Sequence, residues 1–515
     1  MRVVLGALVA VLAFAALAGS ALAKKAVKQV EIVSQSGPPV GPIPANTHYF
    51  TTIQAAVDAT TRNARDWVLI EPGVYKEEVK VTAAHSDLHI RGMNRNTVIL
   101  DGSGILRPNG SNGIFIERAN NVWVENLTVK NFERANKEGQ PDPEGGGGNE
   151  IWWTGQREGE SDVHAGQGAH GWWGKYLTAY VTGLDGGYGI FAQHETEGSW
   201  NNIYASGFND SGIYIGACWE CKAHVSNATM EYNAVGYSGS NSGGELVIEK
   251  SLFKNNSAGI VPNGENPGDG PPPQDGACNG KRPGTPYRLF TSTEIARCTV
   301  LKENVVTDNN SLTAPANPST EKAPWGVGIE LPGDMGDLVE NNTISDNVNN
   351  GVLGFEYPNP YPADLTCTPE RAKKGECTKT IYFQFAGNKI ANNQFIENGT
   401  SGKEFASQIT LQGGVYPHKQ YTSDNNCVSG NSYTGGGPVS YPAEIEGTWG
   451  CQNATTPPPN NGLAAIGYLV ILSNESASAL RHEVPGVEPP AQTTMPEPCE
   501  EVPANPLCPT NGEGY

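Results

Sequence analysis

The sequence predicts an all-β solenoid, one short unit of strands stacked on copies of itself. Three observations carry that expectation. The segments YGIFAQ, SGIYIG, VGYSGS and AGIVPN place glycines at 189, 212, 236 and 259, so the intervals are 23, 24 and 23 residues. After each of the first three, a second apolar run ends in asparagine: NNIYASGFN (201–209), SNATMEYN (226–233) and LVIEKSLFKNN (246–256). Glycine is abundant at 63 of 515 residues, which suits many short strands joined by tight turns. A period in the low twenties belongs to a repeating supersecondary unit, not to a globular core.

The first residues predict export. Arg2, the apolar run Val3 to Leu17 and the small-x-small site Ala21-Leu22-Ala23 read as a signal peptide over 1–23. That run, like Leu463 to Leu472, is too short to span a bilayer, which takes about 20 residues. The expected protein is therefore a secreted monomer, extracellular or at the cell surface, with no transmembrane segment. Residues 24–46 read as a linker, 47–452 as the solenoid, and 453–515 as a C-terminal helix and a Pro/Glu-rich tail. The formal net charge of −20 repels polyanions, so nucleic acid is excluded as a partner.

Ten cysteines in an exported chain predict disulfides. A stacked coil keeps sequence neighbours close, which favours the pairs Cys218–Cys221, Cys278–Cys298, Cys367–Cys377, Cys427–Cys451 and Cys499–Cys508. The spacing of Cys218-Trp219-Glu220-Cys221 also suits a redox motif or half a zinc site. No second CxxC and no βαβ context accompanies it, and the disulfide reading is preferred.

Taken in order, Thr51 to Val57 changes to a helical period, with Ile53, Ala56 and Val57 on one face. A stack exposes its first apolar cross-section, and this helix would cap it. Strands follow at Leu88–Ile90, Thr97–Gly102, Gly113–Ile116 and Val122–Val129. Residues 133–170, with Gly145 to Gly148 and Trp152-Trp153, read as an excursion, as do 264–286 and 357–380. Coils return at Cys298, Gly328 and Gly351, and Ile381 to Asn398 and Ile409 to Leu411 read as the last. Gly462 to His482 reads as a helix packed along the stack. Beyond Val484 the chain reads as an irregular tail. Asn202 and Asn209, Asn227 and Asn233, Asn342 and Asn347, and Asn393 and Asn398 suit the bends, because Asn tolerates left-handed backbone and can form inward ladders between coils about 4.8 Å apart.

With these features the chain resembles right-handed parallel β-helix proteins of the pectin-lyase-like superfamily, of the secreted bacterial repeat type. TIQAAV…VLIEPGVYKEEV is similar to the start of many members, and GYGIFAQ…SGIYIGACWEC…VGYSGSNSGGELVIEKSLFKNNSAGIVPN to their repeats. The resemblance covers residues 48 to 430 and implies the fold, with the N-terminal helix as its cap and disulfide-stapled loops. It implies no single activity, since one superfold carries many chemistries. Beyond Gly73-x-Tyr75-x-Glu77 the pectin methylesterase motifs are absent. There is no Asp-Asp pair of the polygalacturonase type, and Ala169-His170-Gly171 only partly matches its Gly-His-Gly. No arginine lies between Arg157 and Arg282, which argues against a uronan lyase.

Aligning coils on glycine puts Ile190, Ile213, Ile260, Ile329 and Val352 inward and Phe191, Tyr214, Val261, Glu330 and Leu353 outward. Gln193, His194, Asn241 and Asn263 lie close to that column. Aromatic faces beside amides and a carboxylate suit sugar rings, so Phe191, Gln193, Tyr214, Asn241 and Asn263 are the ligand-binding candidates. The alternative is a column merely covered by the excursions 133–170 and 264–286. His194, Glu195, Asp210 and Glu330 are the catalytic candidates. Two carboxylates across a sugar would serve hydrolysis, and the 194–197 cluster with Asp210 would otherwise be a solvated turn or a Ca²⁺ site; no other cofactor is expected. Asp162, His164 and His170 are weaker metal candidates. Trp152, Trp153, Trp172 and Trp173 form either a stacking platform or a hydrophobic cover. The expected function is binding or processing of extracellular polysaccharide or cell-envelope glycan; the alternative is a non-catalytic structural or adhesive spacer.

Overall fold

The computed structural model describes residues 28–60, 64–135, 140, 146–155, 168–218, 220–263, 298–356, 361–362, 380–381, 385–412, 426–451, 462–479 and 484–509. The chain is a right-handed parallel β-helix. Among the described residues, one parallel sheet has eleven strands stacked in strict sequence order from Val79–Thr82 to Ser440–Tyr441. A second, larger parallel sheet takes two strands from most coils.

Alternation explains the first sheet. Its rungs pair Ile190 with Ile213, Ile213 with Tyr237, Tyr237 with Ile260, Ile260 with Ile329, Ile329 with Val352 and Val352 with Ile409. All seven are fully buried in one continuous core, and each contributes about 1.5–3 kcal/mol by leaving water. Their neighbours one position on point out of the stack.

In the second sheet each coil bends between its two strands at a left-handed residue. Asn202, Asn227, Asn341 and Asn392 hold φ of 55°, 53°, 56° and 57°, and Lys250 and Glu303 take the same place at 50° and 56°. The other expected asparagines have a different role. Asn342, Asn347, Asn393 and Asn398 are buried and stack as amide ladders. One ladder runs Asn233, Asn256, Asn309, Asn347, Asn398, each Nδ2 donating to the next Oδ1 at 2.9–3.2 Å, and ends on Gln408 Oε1. A second runs Asn304, Asn342, Asn393, Asn431 and ends on the Glu446 carboxylate.

The first coils are covered by the helix Ile53–Ala59, whose Ile53, Ala56 and Val57 join the core. Thr52 Oγ1 caps it, and the Glu77 carboxylate accepts from the Ile53 and Gln54 amides. The short helix Ile445–Trp449 covers the other end with Ile445 and Trp449. Disulfides join Cys218 to Cys221, Cys427 to Cys451 and Cys499 to Cys508. Cys298 is disulfide-bonded, while Cys278, Cys367 and Cys377 lie outside the described residues.

Three expectations change. The linker reading of 24–46 fails at Val30–Val33, a fully buried strand between Thr47–Phe50 and Trp67–Ile70. The excursion 133–170 contains a complete rung, Asn149–Thr154, with Ile151 and Trp153 inward and Trp152 outward. The C-terminal tail is irregular but docked: Arg91 donates to the carbonyls of Pro498 and Glu500, Met495 N donates to Asn126 Oδ1, and Val502 packs with Val30, Ile32, Trp67 and Leu69. The excursion 264–286 and most of 357–380 lie outside the described residues. No helix among the described residues is long and apolar enough to cross a membrane.

Candidate functional site

The outward column of the first sheet reads Phe115, Trp152, Phe191, Tyr214, Ser238, Val261, Glu330 and Leu353 along successive rungs. Over its middle lies a cleft of about 830 Å³ whose floor includes Phe191, Tyr214, Ser238, Val261 and Glu330. One wall is the segment Ser319 to Pro324. The other is the C-terminal helix Gly462–Ser478, through Leu469, Val470 and Ser473. That helix is held by Tyr468, whose hydroxyl donates to Asn350 Oδ1 at 2.6 Å, and by Leu469 and Leu472 against Val327, Leu353, Phe355 and Phe405.

At one end the cleft is aromatic. Phe191 stacks on Trp152 with ring centres 5.2 Å apart, and Tyr214 meets Phe191 edge-on at 4.8 Å. Tyr188 packs against both, at 4.6 and 5.3 Å. Tyr214 lies back along its own strand because position 216 is glycine; a methyl there would overlap the phenol ring. Gly216→Ala should lift the ring, and nitration of Tyr214 by tetranitromethane, mapped by mass spectrometry, should rise several-fold. Unchanged nitration would rule out this packing.

Gln193 and Asn263 also line the cleft. Asn241 does not. It is fully buried at φ 51°, at the left-handed corner that Ala217 and His194 occupy in neighbouring coils, at 49° and 55°. Its role is the turn between sheets. His194 and Glu195 are likewise buried, at 1% and 2% exposure, so the expected titratable cluster is not on the groove. The Glu195 carboxyl has no hydrogen-bond partner among the described residues, and burial raises its pKa well above the usual value.

Asp210 and Glu330 do reach the cleft, but apart. Three rungs separate their coils, about 14 Å along the axis, and Asp210 starts its coil four residues before the Glu330 position. Paired carboxylates in glycoside hydrolysis stand about 5–9.5 Å apart. Asp210 is also engaged: Asn317 Nδ2 donates to it at 2.8 Å and Arg134 Nη2 lies at 3.9 Å. Burial pushes its carboxyl up, with Arg134, Asn317 and Tyr188 opposing. It anchors the 317–324 segment and is no partner for Glu330.

Glu330 is 4% exposed, and burial alone raises its carboxyl to about 8. It is therefore neutral at pH 7 and can donate a hydrogen bond.

The remaining candidates divide. No group of three His, Cys, Asp or Glu able to hold a metal is found among the described residues. His170 is exposed, and Asp162 and His164 lie outside them. Trp153 and Trp172 are core, Trp152 extends the aromatic column, and Trp173 stacks with Trp123 at 6.1 Å on the second sheet.

The walls of the cleft escape the repeat pattern. The helical wall is the segment read as a helix packed along the stack, and the signal for the 319–324 wall is length. Gly259 to Gly328 spans 69 residues, yet among the described residues only one coil's strands lie between them, so more than the 264–286 excursion has to be accommodated.

No family model and no curated protein matches this sequence. Solved structures do. The A-module of mannuronan C-5 epimerase AlgE4 from Azotobacter vinelandii is 14% identical over 75% of this chain and 94% of its own, with a TM-score of 0.42. A family 28 exopolygalacturonase from Yersinia enterocolitica is 12% identical over 80% and 73%, at 0.45. An alginate lyase from Paenibacillus is 12% identical over 75% and 94%, at 0.35. At such divergence no site residue is carried across.

Proposed function

We propose that the chain is an exported glycan-binding β-helix protein that holds a sugar chain in the cleft of its first sheet. The observation that carries this reading is the joint placement of Tyr188, Phe191 and Tyr214 with Gln193, Ser240 and Asn263 in one cleft. Aromatic faces pack on the CH surface of a pyranose, while amides and hydroxyls exchange hydrogen bonds with its hydroxyls. Export is supported by the sequence of residues 1–23 and by the disulfides among the described residues. The separation of Asp210 from Glu330 favours binding over two-carboxylate hydrolysis.

A glycan array with neutral and acidic polysaccharides, followed by titration calorimetry, tests the reading. Tyr214→Ala removes an aromatic contact worth about 1–2 kcal/mol and should weaken binding about tenfold. Because the ring is 5% exposed and packed on Phe191 and Tyr188, Tm should fall as well, and binding is read at a temperature where the variant is still folded. If no glycan binds, the rigid-spacer alternative takes its place.

A further inference from the structure

The two ends of the cleft differ in chemistry. The end away from Tyr214 is apolar around a single carboxyl. Glu330 lies one residue beyond the Ile260–Ile329 rung, which places Val261 on one side of it, and it pairs with Leu353 on the other. Pro332, Phe355, Leu469 and Val470 line the same cleft. In the register Pro332 pairs with Phe355, two residues along from Glu330, and the helix bearing Leu469 packs on Leu353 and Phe355.

Other charged or titratable groups are either distant or engaged. Lys322 sits exposed on the 319–324 wall. Glu475 on the helix accepts from Trp325 Nε1 at 3.0 Å and pairs with Lys403 at 3.2 Å. Asp210 lies three rungs away with Arg134 and Asn317, and Tyr188 hydrogen-bonds to it. None of them contributes to the state of Glu330, which burial alone sets.

A carboxyl group donating from an apolar surround selects its ligand. A carboxylate placed beside Glu330 would be a desolvated charge, because Lys322, exposed on the 319–324 wall, exerts no influence on Glu330. A free sugar hydroxyl would keep one hydrogen-bond partner but lose its remaining water against apolar walls. An ester carbonyl only accepts, and its alkyl group needs no partner. We propose that this end of the cleft recognises an O-acyl ester on the bound glycan, with the Glu330 carboxyl donating to the ester carbonyl and the acyl group packed against Phe355, Leu469 and Val470. The proposal rests on the glycan-binding reading and narrows it to an acylated, uncharged sugar at this subsite.

The test uses the full chain and two matched pairs of probes: O-acetylated xylo- and manno-oligosaccharides, and the same samples after mild alkaline de-esterification. Calorimetry at pH 6 should show at least one acetylated probe binding about tenfold more tightly than its de-esterified partner, as one hydrogen bond and one buried methyl imply. The preference should shrink as pH rises through about 8, where Glu330 loses its proton. Glu330→Gln, which keeps an N–H donor, should retain the preference and make it independent of pH. Val470→Ser, at a half-exposed position, should reduce it several-fold while Tm stays near wild type. Equal binding of both forms, still weakened by Tyr214→Ala, overturns the acyl subsite and leaves glycan binding standing. Failure of all four samples to bind removes both.

Discussion

Asn342→Ala should cost about 3–5 kcal/mol of stability, whereas Asn341→Gly, one residue earlier, should cost nothing measurable. The two asparagines are adjacent in sequence and opposite in function. Asn342 Oδ1 accepts from Asn304 N at 2.9 Å and from Asn304 Nδ2 at 3.1 Å, and its own Nδ2 donates to Leu301 O and Asn393 Oδ1, both at 2.9 Å. Removing the side chain leaves buried donors and a buried carbonyl unpaired, at about 1–3 kcal/mol for each. Asn341 is exposed, holds φ 56°, and offers only that conformation, which glycine adopts without strain. Urea unfolding of both variants measures the difference. Equal and small losses would mean that the ladder is dispensable. A solenoid is stabilised largely by contacts between neighbouring coils, so the loss should also speed hydrogen exchange in the coils on either side of residue 342.

That pair of residues also separates what is legible in the sequence from what is not. Strand alternation and the glycine period are local properties, so the inward column from Ile190 to Val352 and the outward column from Phe191 to Leu353 follow from spacing alone. The division of labour among asparagines does not. Asn202 and Asn227 take the left-handed bend, but at 342 and 393 it falls on the asparagine one position earlier, and only register reveals which amide faces inward. His194 and Asn241 leave the expected groove for a related reason. A corner between sheets turns the chain by one left-handed residue, which inverts the side-chain parity assumed for a continuing strand. Val30–Val33 is hidden because its strand partners, 47–50 and 67–70, follow it in the chain instead of preceding it. The helix Gly462–Ser478 is legible as a helix packed along the stack, but its place beside Glu330, some 140 residues away, is not, because repeat spacing carries no information about that contact.

Stability should fall as pH rises from about 6.5 to 8.5, against the usual expectation of a broad plateau. Glu150, Glu195 and Glu330 are buried carboxyls whose pKa values burial raises, well above the usual range for the first two and to about 8 for the third. Glu150 accepts from Phe132 N through Oε1 while Oε2 is without a partner among the described residues, and Glu195 has none for either oxygen. A raised folded pKa means that the native state keeps a proton the unfolded chain has released. The associated stability is complete below the unfolded value of about 4.5 and is lost as pH climbs through the folded value, with a slope approaching about 1.4 kcal/mol per pH unit for each proton. His89 acts in the opposite sense. Stacked between Trp67 and Trp123 at 4.0 and 4.2 Å, it is held neutral down to about 3 by burial and Arg91, so acidification below 6.5 favours the unfolded state that can protonate it. Burial lowers His85 as well, although Asp58 opposes the shift. Asp101 and Glu249 are lowered, by Ser103 hydrogen bonds and by Lys302 and His224 against their own desolvation, and their gain is complete before pH 6.5. Above 6.5 only the buried acids among these groups still titrate, and the slope is negative. Differential scanning calorimetry across pH 4–9 should place the highest Tm near pH 5, where the three acids begin to lose their advantage, with a shallow decline while His89 and His85 oppose them and a fall of several degrees by 8.5. Glu330→Gln should remove one acid's share of the slope between about pH 4.5 and 8, because a carboxamide of the same shape has no proton to lose. A Tm that is flat or rises over this interval would show that water or the protein's own relaxation solvates these carboxylates in the native state.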